Sequence, residues 1–266
     1  GAVVNEPDAC PTPPIAAGGD FTYEFDASNP ALYWFHPHVR SDVQVERGLY
    51  APFVIRPATP QVSAERERVL VLDDVLLDGS GNIEPADTGS AHLTDPTSGE
   101  ISMTFVGMMG RQGNRLLLNG RMNPILHARA GAVERWRLVN SANARFFNIV
   151  VPGATILRIG GDSGLAEQPT EVDHVLLAPG QRADLLVRFD GAPGSQLSLL
   201  TRHYNRGHDL ADPGDLQMAQ ISLDDPGGSA AGDFPAVHPD PIPAAREGSV
   251  VHRIEMSEVE LRGGRV

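Results

Sequence analysis

The sequence predicts an all-β chain folded as Greek-key sandwiches, and three observations carry that expectation. Glycine (28) and proline (22) are plentiful among the 266 residues, which suits many short strands and turns. Apolar residues come in short runs or alternating segments bounded by Gly, Pro and Asp. No long segment repeats with the 3.6-residue helical period. A hydrophobic content of 41% permits a real core, and the length suits one large or two ordinary domains.

Taken in order, residues 1–20 form a Pro/Gly-rich extended run. Phe21 to Ala27 alternates, with Phe21, Tyr23 and Phe25 on one face, and reads as a half-buried strand. After a turn at Asn29-Pro30, strands are expected over Ala31–His38 and Leu49–Ile55. Pro57 to Glu67 reads as a linker. Arg68–Leu77 is an apolar run of strand length broken by Asp73-Asp74, read as turn and strand-end residues, and Asp78-Gly79-Ser80-Gly81 is a turn. Residues 84–107 are polar and loop-like, and Leu116–Leu118 enters a turn at Asn119-Gly120. Six further strands are expected at Glu134–Val139, Phe146–Val151, Ile156–Ile159, His174–Leu177, Arg182–Phe189 and Gln196–Leu200. Asp224–Gly248 is dense in Pro, Gly, Ala and Asp, as in a surface connection. Ser249–Ser257 alternates again.

Composition excludes several function classes. The net charge is −13 and every cation is arginine, so attraction to nucleic acid or anionic lipid is not expected. No apolar run approaches the 18 or so residues of a membrane span. The single cysteine, Cys10, can form neither an internal disulfide nor a Cys-rich zinc site. No signal peptide is visible and the chain starts at Gly1, so a processed product or a piece of a longer protein is expected. Neither Gly107-Met108-Met109-Gly110 nor Gly160-Gly161-Asp162 has the spacing of a nucleotide-binding loop.

The densest chemistry lies in Tyr33–Tyr50, YWFHPHVRSDVQVERGLY. On an extended strand, His36 and His38 project to one face about 6–7 Å apart, which suits two neighbouring metal ions better than one. Pro37 lacks an N–H, so this point is a strand end, edge or bulge. Imidazole is a good ligand for copper. A single His-x-His is a weak signal, and a pair of turn histidines without a ligand is the competing reading. Asp42 is the nearest carboxylate that could orient a ligand ring or relay protons; a solvated turn aspartate is the alternative. Of the other histidines, His203 and His208 in RHYNRGHD could line an entrance, though a polar surface loop explains them as well. His127 and His174 fall at strand ends, and Met108-Met109 reads as core filling or a substrate contact.

YWFHPH followed by GLYAPFVI resembles the second copper-binding motif of the laccase-like multicopper oxidases. GRQGNRLLLNGRMNPILHARAGAVERWRLVNSANARFFN and LLAPGQRADLLVRF resemble the second, copper-free domain of the three-domain members. The resemblance implies cupredoxin-like domains: 1–57 as the closing part of the first, 58–67 a linker, 68–224 the second, 225–248 a linker, and 249–266 the opening strand of a third. It implies copper as cofactor, with His36 and His38 each binding one copper of the type 3 pair in a trinuclear cluster. Type 1 copper would take single electrons from a small reducing substrate, and dioxygen would be reduced to water. The first His-x-His-Gly motif and the His-Cys-His motif are missing, so most type 1 and type 2 ligands would lie in missing N- and C-terminal segments. A sandwich needs roughly seven strands and residues 1–57 supply about three, which agrees. The chain alone is therefore expected to lack oxidase activity. A periplasmic or secreted location follows from the resemblance only. A copper-free cupredoxin scaffold used for binding or assembly is the second reading.

Overall fold

Two twisted sheets pack face to face around one apolar core in the computed structural model, which describes residues 14–85, 92–94, 101–103, 109–206, 213–224 and 232–241. The first elements are β1 (Ala31–Phe35), α1 (Ser41–Glu46) and β2 (Ala51–Ile55). They are followed by β3 (Arg66–Val75), β4 (His92–Thr94), β5 (Ile101–Met103), β6 (Arg115–Leu118), β7 (Ile125–Arg129) and β8 (Val133–Asn140). Then come β9 (Phe147–Val150), β10 (Ala154–Gly161), β11 (Gly164–Val172), β12 (Val175–Leu177), β13 (Arg182–Phe189), β14 (Gln196–Arg202) and β15 (Leu216–Asp224).

The six-stranded sheet has the order β11-β10-β13-β8-β3-β6 and the five-stranded sheet β12-β9-β14-β15-β7. Pairing is antiparallel except for β3 with β8 and β15 with β7. Many neighbours are distant in sequence, as a Greek key requires. The chain is a cupredoxin-like β-sandwich. Trp136, Phe147, Phe189, Leu138, Ile149, Leu185 and Ile221 fill the space between the sheets.

Strand β8 shows what the second face of the six-stranded sheet does. All eight of its residues are buried. Period-2 alternation sends Trp136 and Leu138 into the sandwich core and Val133, Arg135, Arg137 and Val139 to the opposite face. That opposite face is covered in two places. Val139 and Val71 receive Leu32, Trp34, Tyr50 and Val54 from the β1–β2 hairpin. Val133, Leu186 and Ile159 receive Val62, Phe234 and Val237 from two extended segments joined by a Val62–Val237 bridge. Between these apolar patches lies a buried charged strip of Arg135, Arg137 and Asp184, with Glu67 at its margin.

The structure departs from the sequence expectations at several points. Phe21–Ala27 forms no strand, and Phe21, Tyr23 and Phe25 are exposed. An alternating pattern becomes a strand only where a neighbour takes its hydrogen bonds, and no described strand pairs with it. The strand expected to reach His38 stops at Phe35, one residue before the His-Pro-His run. A six-residue helix, α1, was not legible because it is shorter than two helical turns. Strand β3 starts at Arg66, inside the segment read as linker, and runs unbroken through Asp73 and Asp74. Strands β7, β11 and β15 were not anticipated, nor were β4 and β5 within residues 84–107. Cys10, Met108, His208, His252 and the strand expected at 249–257 lie outside the described residues, as does most of 225–248.

Candidate metal centre

The alternation that builds β1 also aims the histidines. Leu32 and Trp34 face the sandwich, whereas Phe35 is 61% exposed on the other side. Continuing that period past the strand end puts His36 and His38 on the sandwich side. The rings follow it. Trp34 stacks on His36 at 4.2 Å between centroids, and His36 stacks on His38 at 4.7 Å. Both histidines are half-buried. His36 Nδ1 lies 3.2 Å from the Pro37 carbonyl oxygen, which can only accept. That contact fixes the proton on Nδ1 and leaves the Nε2 lone pair for a ligand. Burial pushes the His36 pKa below its ordinary value, with the Pro37 carbonyl opposing and His38 adding to the fall. The neutral, ligating form therefore prevails at neutral pH.

The surroundings of this ring column come from the sandwich. Antiparallel pairing sets Phe35 against Ala51, so the next step of the register brings Tyr50 beside His36. The Tyr50 ring meets Trp34 edge to face at 6.3 Å, and its hydroxyl donates to Asp73 Oδ2 on β3. Gly180, at φ +80°, forms the turn before β13, and a Cβ there would stand 3.7 Å from Trp34 Cζ2. Arg182 Nε donates to the Leu32 carbonyl at 3.2 Å. Helix α1, which follows the histidines, is tied down by a buried ion pair of Glu46 with Arg111 at 2.8 Å. Asn143 Nδ2 also donates to the Asp42 carbonyl and to Glu46.

Asp73 and Asp74 are the residues that sequence reasoning placed wrongly. They are 5% and 4% exposed, and they serve opposite sides of β3. Asp73 meets Tyr50. Asp74 takes Arg145 Nε and the Gly113 N–H, both at 2.6 Å. Burial pushes the Asp73 carboxyl up to about 7, reinforced by the charges of Asp74 and Glu46 and opposed by the hydrogen bonds from Tyr50 and the Asp74 N–H.

A pH dependence of stability follows. A carboxyl whose folded pKa exceeds its unfolded value binds its proton more tightly when folded. Its contribution is therefore present at low pH and is lost as pH rises from about 4 to about 7. The wild-type chain is expected to lose on the order of 3 kcal/mol across that window from this group. Asp73→Asn should flatten that part of the profile. Urea melts of both chains between pH 4 and 8 check it.

The other candidates lie elsewhere. The Asp42 side chain is 56% exposed and bonds Arg40 Nε at 3.2 Å, which holds its carboxyl below the usual range. His127 is exposed and 3.8 Å from Asp224, and His174 is 2.6 Å from Asp173. Tyr204 stacks on Phe146 beside His203, and Arg206 donates to the carbonyls of Met109 and Ala144. Among the described residues, no group of three or more His, Cys, Asp or Glu is arranged to hold a metal ion. Two imidazoles with ring nitrogens of the right type fit copper as part of a ligand set and not as a whole one. Among the described residues no helix is long and apolar enough to cross a membrane.

Comparison with known proteins gives a consistent picture. A family model described as multicopper oxidase matches residues 66–208, and a second with that description matches residues 4–60. Multicopper oxidase MmcO of Mycobacterium tuberculosis is 33% identical over 195 residues, covering 66% of this chain and 37% of the relative. Cell division protein FtsP of Escherichia coli is 28% identical over 180 residues, covering 64% of this chain and 34% of the relative. The crystal structure of a multicopper oxidase from Pseudomonas thermotolerans superposes with a TM-score of 0.66 at 28% identity, over 85% of this chain and 48% of that one. The chain thus spans less than half the length of these relatives.

Proposed function

The chain belongs to the multicopper oxidase family, and from that premise we propose that it forms part of a laccase-like oxidase, with His36 and His38 as ligands of a type 3 copper pair. The observation that carries this reading is the ring column: two imidazoles on one side of the chain, half-buried, braced by Trp34 and with His36 Nδ1 turned to the Pro37 carbonyl. Copper, when bound, would supply one-electron chemistry, drawing electrons singly from a small reductant such as a phenol and passing four to dioxygen.

The chain's own residues do the holding. Trp34 excludes water from one face of His36, and Pro37 fixes the His36 tautomer. The wider ligand set, including type 1 and type 2 ligands, would come from sequence beyond these 266 residues. Residues 1–57 would close a first cupredoxin domain, 68–224 would be a second without copper, and 249–266 would open a third. For Asp42 the proposal is a minor one: paired with Arg40, it keeps an ionised carboxylate a few residues past the histidines. A periplasmic or secreted location accompanies this reading.

The test is copper content and absorption of the full-length protein, with the 266-residue chain as control. Full-length protein is expected to carry several coppers and to consume oxygen with a phenolic reductant. The 266-residue chain alone is expected to show neither a blue band nor turnover, and either one would overturn the reading. The FtsP match favours a second reading, a scaffold used for binding or assembly. A full-length protein that folds but retains no copper after dialysis would select it.

A further inference from the structure

We infer that Asp73 and Tyr50, by way of Trp34, are positioning residues for the His36 and His38 rings, so that the copper-free sandwich sets the geometry of the metal motif. The inference rests on the reading of those histidines as ligands, and it adds a role that neither the motif nor its spacing contains. The contacts form one continuous series. Asp73 sits on β3 of the sandwich, and its Oδ1 is already taken by the Asp74 N–H at 2.8 Å, which fixes the carboxyl rotamer. Oδ2 accepts the Tyr50 hydroxyl. The Tyr50 ring meets Trp34 at 6.3 Å and 69°, Trp34 stacks on His36 at 4.2 Å and 23°, and His36 stacks on His38 at 4.7 Å and 28°.

The histidine end of this series depends on the sandwich end. His36-Pro37-His38 lies beyond the last paired residue of β1, so the ladder does not hold it. Pro37 cannot donate a hydrogen bond to any neighbour. Beside the His36 Nδ1 contact with the Pro37 carbonyl, the stacking of Trp34 on His36 and of His36 on His38 orients the rings. Trp34 is confined by Tyr50 on one side and by the Gly180 turn on another. Gly180 is itself held, its N–H donating to the Asn140 carbonyl at 2.8 Å. The Asp73–Tyr50 bond is partly buried, so losing one partner weakens the hold of the sandwich on the Tyr50 ring. A hydroxyl 23 residues away in sequence from its acceptor thus reports the docking of the hairpin directly to the ligand rings.

The experiment is heteronuclear NMR of the His36 and His38 ring protons in the 266-residue chain, with no metal needed. In the wild type, the His36 ring protons are expected to be shifted upfield by the Trp34 ring current. Tyr50→Phe keeps the ring and removes the hydroxyl. Asp73→Leu removes the acceptor, and Asp73→Asn keeps one. Tyr50→Phe and Asp73→Leu are expected to move the His36 shifts toward those of an exposed histidine, and Asp73→Asn to restore most of the wild-type pattern. Methyl signals of Leu70 and Leu185 in the sandwich core should stay in place, separating repositioning from unfolding. If Asp73→Leu does not fold, Tyr50→Phe alone decides. Unchanged His36 shifts in a folded Tyr50→Phe chain would overturn the inference. Zinc added to the wild type probes the ligand reading separately. Zinc that leaves both ring signals unmoved would remove the ligand role, while the ring-shift result stands or falls by itself.

Discussion

On the proposed copper-ligand reading, replacing either His36 or His38 by alanine in the full-length protein is expected to bring oxygen consumption below about one-hundredth of wild type. Loss of a group that merely supports a metal ligand typically costs 10–100-fold, so loss of the ligand sets at least the upper end of that scale. The fold should be nearly indifferent. Both residues are half-buried and lie past the end of β1, so no ladder hydrogen bond is lost. The expected stability change is under about 1 kcal/mol. Copper per protein should fall in step with activity while the melting temperature holds. His127→Ala and His174→Ala serve as controls, since both rings are largely exposed beside single aspartates. A His36→Ala protein with full copper and wild-type turnover would show that the ligand assignment is wrong.

The shared face of the candidate histidines was legible because its signal is local. Trp34, His36 and His38 share a face by period alone, and Pro37 marks the strand end by its chemistry. The fold class was legible for a similar reason: β8 and β13 are short apolar-rich runs between turn residues, and β13 occupies the residues expected of it, Arg182–Phe189. What the sequence hid is long-range. Arg135 and Arg137 look like the solvated face of a strand, yet both are buried, because segments 60–70 residues away or further cover that face. Asp73 and Asp74 look like strand breakers, since aspartate is disfavoured in strands. They persist within β3 because Tyr50 on one side and Arg145 with the Gly113 amide on the other satisfy them, and none of those partners is near in sequence. Phe21, Tyr23 and Phe25 err in the opposite sense: the local pattern is right for a strand, and among the described residues no strand pairs with it.

The same covered face yields the largest expected effect on stability. Asp184 receives Arg135 through both oxygens, at 2.9 and 2.6 Å, and Arg137 stands 3.5 Å from it. Glu67 lies 3.2 Å from Arg137 and 3.7 Å from Arg135. Asp184→Ala leaves two buried guanidinium groups to one partly exposed carboxylate. Breaking a buried pair by removing one partner costs about 3–5 kcal/mol, because the surviving charge can neither reach water nor find a substitute. At roughly 2–4 °C per kcal/mol for a domain of this size, the melting temperature should fall by about 10 °C. The pair itself need not be stabilising. Two charges withdrawn from water repay their desolvation only in good geometry, so replacing Glu67, Arg135, Arg137 and Asp184 together by apolar residues is expected to be neutral or better. What that replacement would erase is discrimination. The strip separates the patch that takes Leu32 and Trp34 from the patch that takes Val62 and Phe234. One uninterrupted apolar face would accept either segment in either place. The quadruple variant should therefore melt as high as wild type in calorimetry while its Trp34 and His36 ring signals broaden or multiply. Asp184→Ala should melt low, with the hairpin still docked in one position below its transition. A fall of less than 1 kcal/mol for Asp184→Ala would mean that water reaches the strip and that the face is not sealed as the packing of β8 implies.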